Sequence, residues 1–367
     1  MSRVQQADGH QLISSFDSFL FDADGVLWLG DTPLPGAADF LRHLVSAGKN
    51  VFIVTNNSTK TLDDYVNKCK RIGFDMLSDD HILSPAKVLA HILAKEKSDL
   101  PIYIVGSSGL QKELKKEGIE SFGTGPDLVE SYTNVESIQQ MDISRKVRAV
   151  VASFDIHLSY PKIMRAANYI NQAGVRFYAT NPDPRLPGPV PGVIIPGSGV
   201  SMRAVQTAAG KEPIIIGKPS KTMFEYIKER FNLKAEKSVI FGDSCETDIK
   251  FGHVNGLTSV LVGTGVHDLN KVEEFEKQGR EDLIPNYYTP SLKSFAQFSC
   301  LMHVAQEYDL IPRFRLWLND SLHIPKKSEL IIVRQTIMMQ DRKAVIVIQP
   351  TATQSDYLQG RKIRRNV

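Results

Sequence analysis

One stretch near the start of the chain, residues 19–28, constrains the fold most. It reads FLFDADGVLW, and its first three residues are apolar with no alternation. Such a run is typical of a strand that is buried on both faces of a parallel sheet. The run ends in Asp22 and Asp24, followed by Gly25. Because ligands of open α/β sheets bind beyond the carboxyl ends of the strands, these two carboxylates favour a cation site over a simple polar turn.

Three later apolar segments also end in polar groups. Residues 51–55 (VFIVT) lead into Asn56, residues 214–217 lead into Lys218, and residues 238–242 lead into Asp243. A Thr-Asn-Asn, Lys-Pro or Gly-Asp segment by itself is usually a turn or a helix cap. Four such ends, each directly after a predicted strand, are difficult to explain as turns alone. We therefore expect the polar groups to meet at one edge of the sheet.

The residue types at these strand ends are suited to phosphate chemistry. Three converging aspartates repel one another unless a cation lies between them, and oxygen ligands select a hard ion such as Mg²⁺. One carboxylate, Asp22 or Asp24, can act as a nucleophile, and the other can transfer protons. Lys218, the hydroxyl of Thr55 and nearby backbone N–H groups can stabilise a phosphoryl group in transit.

The segments DADGVLW, TNNS, GKPS and GDSCETDI resemble the four motifs of the haloacid dehalogenase superfamily, in the same order. The longer stretches VASFDIHLSYPK, ATNPDPRLP and PGSG resemble its p-nitrophenylphosphatase group, and the resemblance extends over about residues 14–300. This resemblance implies an α/β fold: a Rossmann-like parallel-sheet core of the haloacid dehalogenase type, with an inserted α/β cap domain. The presence of Asp24 favours a phosphatase, because the dehalogenases of the superfamily lack an acid at this position.

The resemblance also implies the catalytic and metal-binding roles. It implies that Asp22 is the nucleophile and a ligand of Mg²⁺. Asp24 is then the general acid/base, and its backbone carbonyl reaches the ion. Asp243 is the remaining protein ligand, and Asp248 either orients metal-bound water or caps the following helix.

The phosphate-binding roles follow from the same resemblance. Thr55 and Asn56 are implied to hold the transferring phosphate, with Asn57 beside them. Lys218 is implied to pair the phosphate with Asp22. Arg185, in a proline- and glycine-rich loop over residues 181–199, either contacts a small anionic substrate or is an exposed loop residue.

The order of the β-α units predicts the domain organisation. The pattern begins at about residue 14, restarts near residue 99 and resumes its first form from about residue 213. We therefore expect a core domain from residues 14–98 and 213–303, an α/β cap domain from residues 99–212, and a C-terminal extension over residues 304–367. Residues 313–367 of this extension carry eleven Lys and Arg against four acids, a net charge of +7, and strands are possible at 331–333 and 344–349.

Composition places limits on the partners and the location. The whole chain has a net charge of +3, which does not indicate a nucleic-acid partner, and no apolar run is long enough to span a membrane. The first residues lack the apolar core of a signal peptide. Three widely spaced cysteines fit a reducing compartment, so we expect a cytoplasmic protein. The resemblance further implies a homodimer formed through the cap.

The sequence therefore predicts a Mg²⁺-dependent phosphomonoesterase for small metabolites, of the p-nitrophenyl phosphate, phosphoglycolate or glycerol-3-phosphate class, acting through an aspartyl-phosphate. Pyridoxal phosphate or phosphotyrosine is an alternative substrate on the same fold, and Arg185 in RLP resembles the phosphoglycolate phosphatases more. A phosphotransferase or mutase, and a scaffold that uses the basic tail, remain as further alternatives. For Cys245 an inert buried thiol is favoured over oxidation sensitivity, and for His157 a packing or hydrogen-bonding role is favoured over catalysis.

Overall fold

Short, buried apolar runs form the strands of the first part of the chain. A computed structural model describes residues 3–127, 141–186 and 192–295, and the backbone of two strands beyond residue 332. It divides the chain into two compact units, residues 1–304 and 305–367. The described strands of the first unit are β1 (Gln5–Gln6), β2 (Ser18–Phe21), β3 (Trp28–Leu29), β4 (Thr32–Pro33), β5 (Asn50–Val54), β6 (Ile82–Leu83), β7 (Ile102–Val105), β8 (Ser121–Phe122), β9 (Ala149–Ala152), β10 (Arg176–Ala179), β11 (Arg185–Leu186), β12 (Ile195–Pro196), β13 (Ile214–Ile215), β14 (Ser238–Gly242), β15 (Thr258–Val262) and β16 (Tyr287–Thr289).

Amphipathic helices alternate with these strands, and several begin at a side-chain cap. Thr61 caps its helix through a reciprocal pair of hydrogen bonds with Asp64, and Ser84 and Ser159 each accept a hydrogen bond from a backbone N–H of the first turn. The described α-helices are α1 (Gly9–Ser15), α2 (Ala37–Ser46), α3 (Leu62–Arg71), α4 (Pro85–Lys95), α5 (Ser108–Lys116), α6 (Tyr160–Ile170), α7 (Ser198–Ala209), α8 (Lys221–Phe231), α9 (Lys250–Asn255) and α10 (Leu269–Lys277).

The core sheet has the order β1-β16-β15-β14-β2-β5-β6, and all of its neighbouring strands are parallel. In its centre Phe21 of β2 is aligned with Phe241 of β14 and with Ile53 of β5. The carboxyl ends of these three strands therefore lie at one edge of the sheet. The predicted fold class is confirmed, as is the prediction that β2 and β5 are parallel neighbours.

A second sheet, with the order β13-β10-β9-β7-β8, is also parallel and is inserted between β6 and β14 in the chain. The sequence predicted that the strand before Lys218 resumes the core sheet, and this is wrong. Ile214 and Ile215 pair with Tyr178 and Ala179 of β10 instead. The predicted domain boundaries near residues 98 and 213 stay a prediction.

Successive residues of β2 bury their side chains on opposite faces of the core sheet. Phe19 and Phe21 belong to one hydrophobic cluster, with α2 and α3, and Leu20 belongs to another. The Leu20 cluster continues through α4 to Ile104 and Val151 of the second sheet. The two sheets thus share a continuous apolar core, which fixes one relative to the other.

The second unit contains a hairpin. Strand β17 (Val333–Gln340) pairs with β18 (Lys343–Pro350) in an antiparallel register that aligns Ile337 with Ile346. Both strands overlap the segments in which the sequence indicated strands, and they extend beyond them. Most of the predicted basic extension lies outside the described residues. No helix within the described ranges has the length and apolar character required to cross a bilayer.

Candidate active site

The structure brings Asp22, Lys218 and Asp243 together although they are far apart in the chain. Asp22 follows β2 directly, and Asp243 follows β14. One carboxylate oxygen from each of Asp22, Asp243 and Asp248 lies within 4.8 Å of the others. The Nζ atom of Lys218 lies 2.5 Å from Asp22 Oδ1 and 2.7 Å from Asp248 Oδ1. The polar residues that follow β2, β13 and β14 therefore form one cluster beside the carboxyl edge of the core sheet.

This cluster has more negative than positive charge. Burial raises the pKa of Asp22 to about 7, against the opposing effect of Lys218. Burial and the neighbouring Asp22 raise the pKa of Asp243 well above its usual value. Burial alone would lower the pKa of Lys218, but Asp22 and Asp248 outweigh it and raise that pKa. A single lysine does not balance three buried carboxylates, so the oxygen donor set fits a hard divalent cation.

Two glycines leave room for the carboxylate of Asp243. Gly25 has a left-handed φ of 95°, and a Cβ atom at Gly25 or at Gly265 would overlap Asp243 Oδ2. The backbone N–H of Val266 donates a hydrogen bond of 3.0 Å to the same oxygen. The loops after β2 and β15 therefore enclose this carboxylate and fix its orientation.

Asp24 lies beside an indole and a buried lysine. The Nε1–H of Trp28 donates to Asp24 Oδ1 at 3.1 Å, and the Nζ atom of Lys68 lies 4.3 Å from the centroid of the Trp28 ring. Burial raises the pKa of Asp24, while the charges of Lys68 and Lys60 oppose that shift. A carboxyl group with a raised pKa, fixed by a hydrogen bond, is suited to donate and accept a proton.

Backbone donors near Asp22 are identified only by the structure. The main-chain N–H groups of Ala23 and Asp24 donate to no acceptor among the described residues. Thr55 follows β5, and its Oγ1 accepts a hydrogen bond of 3.1 Å from the N–H of Asn57. The hydroxyl group of Thr55 can also donate a hydrogen bond. The sequence predicted backbone donors here without naming the residues.

The side chains of the two asparagines are already engaged. The side-chain amide of Asn56 donates to the carbonyl of Lys218 and to Asp183, and its Oδ1 accepts from Lys218 N. Asn57 Oδ1 accepts from the backbone N–H and the hydroxyl of Thr59. The main-chain N–H of Asn56 has no acceptor within the described ranges, so this group is its available phosphate donor.

Asp248 is buried beside Lys218, whereas Arg185 is exposed. Asp248 is 1% exposed, contacts Lys218, and accepts a hydrogen bond of 3.1 Å from the N–H of Ser244 through its second oxygen. Asp248 therefore orients Lys218 in addition to any contact with water. Arg185 is exposed in β11 and has no hydrogen bond or ion pair with another described residue.

The backbone N–H groups of Cys245 and His157 each donate a hydrogen bond to a side chain outside the cluster. Cys245 is buried, and its backbone N–H donates to His267 Nδ1 at 2.9 Å. Burial raises the pKa of the Cys245 thiol to about 12, which fits an inert thiol. His157 is an exposed residue before α6, and its N–H donates to Asp155 Oδ1. It contacts no residue of the cluster.

Two family models match the chain. A model described as haloacid dehalogenase-like hydrolase matches residues 19–120, and a model described as HAD-hydrolase-like matches residues 215–293. The first range contains Asp22, Asp24 and Thr55, and the second contains Lys218 and Asp243. The matched ranges therefore contain the residues that form the cluster.

Curated relatives agree with this assignment. The glycerol-3-phosphate phosphatase of Gallus gallus is 35% identical over 298 residues, which are 79% of this chain and 94% of that protein. Human chronophin is 32% identical over 300 residues, 80% and 97% of the two chains. A putative NipSnap protein of Caenorhabditis elegans is 42% identical over 280 residues, 75% of this chain, and the match spans 53% of that relative, about half its length.

Solved structures show the same architecture. The p-nitrophenyl phosphatase of Archaeoglobus fulgidus has a TM-score of 0.65 at 26% identity, covering 77% of this chain and 99% of its own. The glycerol phosphate phosphatase of Mycobacterium tuberculosis, in complex with magnesium, has a TM-score of 0.62 at 26% identity, covering 79% of each chain. The chain therefore belongs to the haloacid dehalogenase-like hydrolases, as a phosphatase of their p-nitrophenylphosphatase group.

Proposed function

We propose that this phosphatase is a Mg²⁺-dependent phosphomonoesterase that hydrolyses small phosphorylated metabolites through a phosphoryl-Asp22 intermediate. The observation that carries the proposal is the contact of Asp22 with Lys218, beside Asp243 and two residues before Asp24. The nucleophile, the cation site and the proton donor that this reaction needs would then be available together at one edge of the core sheet.

The proposed reaction has two steps. Asp22 attacks phosphorus, and Asp24 donates a proton to the departing ester oxygen as that P–O bond breaks. Asp24 then accepts a proton from the attacking water, and hydrolysis of the phosphoryl-aspartate releases inorganic phosphate. Asp22, Asp243 and the backbone carbonyl of Asp24 would hold Mg²⁺, which supplies neutralisation of the phosphate charge when bound.

The other residues bind the phosphoryl group and exclude water. We expect Lys218, the hydroxyl of Thr55 and the N–H groups of Ala23, Asp24 and Asn56 to donate to its equatorial oxygens. Asn57 supports the loop after β5 that carries Thr55 and Asn56. Asp248 orients Lys218 or a metal-bound water. We expect the second sheet to restrict access to the cluster, which would favour small substrates.

The substrate class rests on the relatives and on one loop. Glycerol-3-phosphate phosphatases are 35% identical and chronophins 32% identical, a difference that favours the first class without excluding another. Arg185 is exposed in β11. Its guanidinium group could bind a second anionic group of the substrate, such as the carboxylate of phosphoglycolate. Pyridoxal phosphate and phosphotyrosine remain the alternative substrates.

A substrate panel tests the proposal. We expect release of free phosphate from p-nitrophenyl phosphate, phosphoglycolate or glycerol-3-phosphate with Mg²⁺, and no turnover with EDTA. The variant Asp22→Asn should lose turnover while keeping its circular dichroism spectrum and melting temperature. Turnover by a folded Asp22→Asn variant would refute the covalent intermediate. Transfer of phosphate to an added alcohol, without free phosphate, would identify a phosphotransferase instead.

The proposal includes a cytoplasmic homodimer formed through the second sheet and its helices. Large apolar side chains are exposed there: Ile156 is 75% exposed and Tyr160 is 70% exposed, and Val193 and Ile194 are also exposed. Burial of these side chains against a second copy would be favourable. Sedimentation velocity should give a dimer, and substitution of Ile156 by Asp should give a monomer. A wild-type monomer at micromolar concentration would contradict this part of the proposal.

A further inference from the structure

The backbone of Lys218 is held from two sides. The N–H of the preceding residue, Gly217, donates 2.7 Å to the carbonyl of Thr180, at the end of β10 in the second sheet. Asn56 then spans Lys218 itself. Its Oδ1 accepts from Lys218 N at 2.8 Å, and its Nδ2 donates to Lys218 O at 3.0 Å. The position of the lysine backbone therefore depends on the orientation of the Asn56 amide.

The carboxylate of Asp183, in the loop between β10 and β11, selects that orientation. The Nδ2 atom of Asn56 lies 3.1 Å from Asp183 Oδ2 and 3.3 Å from Asp183 Oδ1. An ionised carboxylate accepts hydrogen bonds and cannot donate them. Rotation of the amide by a half turn would place Asn56 Oδ1 against Asp183 and would break both bonds to the Lys218 backbone. While it is ionised, Asp183 thus favours the amide orientation that holds Lys218.

The same contacts leave little space for rearrangement. A Cβ atom at Gly217 would overlap Asn56 Oδ1 and the carbonyl oxygen of Thr180. Asp183 is itself held, because its carbonyl accepts a hydrogen bond of 2.9 Å from the N–H of Gly199, at the start of α7. A continuous set of hydrogen bonds therefore runs from the second sheet to Lys218 Nζ and Asp22.

We propose that Asp183 is a positioning residue that acts through Asn56 to hold Lys218 against Asp22. Asp183 makes no hydrogen bond to Asp22 or Lys218 in this structure. The inference rests on the proposed function only because that function gives Lys218 its role. Asp183 therefore affects the phosphoryl-transfer step rather than substrate affinity. The position of Lys218 in the active-site cluster would then depend on Asp183, a residue of the inserted segment.

A double-mutant cycle with Asp183→Ala, Asn56→Ala and the double variant tests this proposal on p-nitrophenyl phosphate with Mg²⁺. We expect Asp183→Ala to lower kcat by about tenfold with KM changed by less than about twofold. Because Asp183 acts through Asn56, the double variant should have the kcat of Asn56→Ala within about twofold. Asp183→Asn, whose carboxamide can either accept from Asn56 or donate to it, should lower kcat by less than Asp183→Ala.

A second measurement needs no turnover. Lys218 is 1% exposed, so its labelling by an amine reagent, followed by mass spectrometry, should be slow in the wild type. We expect labelling of Lys218 to be at least about fivefold faster in Asp183→Ala, at an unchanged melting temperature. Asp99→Asn is the control, because Asp99 is exposed and has no polar partner within the described residues.

Unchanged kcat and unchanged labelling in Asp183→Ala would overturn the proposal. So would kcat losses that multiply in the double variant, because Asp183 would then act independently of Asn56. If the wild type hydrolysed none of the phosphoesters, only the proposed function would fail. The labelling measurement would still decide whether Asp183 positions Lys218.

Discussion

At the scale of single residues, the cluster is a balance between buried carboxylates and one buried ammonium group. Removal of one partner of a buried ion pair usually costs about 3–5 kcal/mol, because the remaining charge has no compensation. Here three carboxylates share Lys218, so the site is under electrostatic strain unless a proton or a cation is bound. Protons and divalent cations should therefore compete for it.

This competition predicts how the stabilising effect of Mg²⁺ depends on pH. The pKa of Asp22 in the fold is about 7, above its value in an unfolded chain, so the folded state binds the extra proton between these two pKa values. Without a divalent cation, the contribution of Asp22 to stability therefore falls as pH rises through this window. We expect the increase in melting temperature on replacing EDTA with Mg²⁺ to be larger at about pH 8 than at about pH 5.5.

Scanning calorimetry or circular dichroism at the two pH values checks this expectation. The rise in melting temperature caused by Mg²⁺ should be larger at the higher pH by roughly 3–5 °C. In Asp22→Asn, which cannot lose a proton at this position, the difference should become smaller. An Mg²⁺ increment that is larger at the lower pH would contradict the assignment of a carboxylate cation site.

The thiol of Cys245 gives a second prediction at this scale. Cys245 is fully buried, and burial raises its pKa to about 12, although it lies two residues from Asp243. Since the thiolate is the reactive form, we expect iodoacetamide at about pH 8 to leave Cys245 unmodified in the native protein. Mass spectrometry should find it modified only after unfolding. Rapid native alkylation with loss of activity would favour redox sensitivity instead.

At the scale of secondary-structure elements, helix α5 of the inserted segment packs on the start of α3 and on the loop that leads to it from β5. The carboxylate of Glu113 accepts from the N–H of Leu62 at 3.0 Å, and Lys116 forms an ion pair with Asp63 at 2.9 Å. The buried hydroxyls of Ser58 and Ser153 lie 2.8 Å apart across the same boundary. These contacts hold the loop that carries Thr55 and Asn56.

Gly109, in the first turn of α5, permits the closest approach. A Cβ atom at this position would overlap the carbonyl group of Thr59. Alanine has the higher helix propensity, so any destabilisation by Gly109→Ala must come from this contact. We expect a loss of about 1–3 kcal/mol and a reduced kcat, because the loop after β5 must move.

Gly118→Ala is the matched control, measured by thermal unfolding and by turnover of p-nitrophenyl phosphate. Gly118 has a left-handed φ of 71° but nothing within 4 Å of its Cβ position. Its substitution should cost about 1–2 kcal/mol from backbone strain and leave kcat unchanged. Equal effects of both variants on kcat would show that the helix–loop contact has no role in positioning the site.

At the scale of the whole molecule, the residues of the cluster all belong to the first compact unit. The second unit, residues 305–367, contains the basic segment over residues 313–367. We expect a chain ending at residue 304 to keep kcat and KM within about twofold and its melting temperature within about 3 °C. A tenfold loss of turnover would show that the extension completes the site, and a loss of partners or of cellular location alone would support an interaction role.

The sequence by itself determined the fold class and most of the cluster. Apolar runs without alternation, separated by helices, require parallel strands, and right-handed crossovers bring the carboxyl ends of neighbouring strands to one edge. The polar residues that follow these strands, Asp22, Thr55 and Asp243, are therefore expected at that edge, whereas the strand order that makes β2, β5 and β14 neighbours is a finding of the structure. The balance of charge between them also follows from their residue types.

Only the tertiary structure decided which sheet the strand before Lys218 joins and what the Asn56 side chain contacts. Ile214 and Ile215 form too short a strand to show a pattern, and hydrogen bonds to β10 determine their place. Asn56 and Asp183 are 127 residues apart, and no periodicity relates them. A hydrogen bond between distant side chains depends on the packing of both sheets, which the local sequence does not specify.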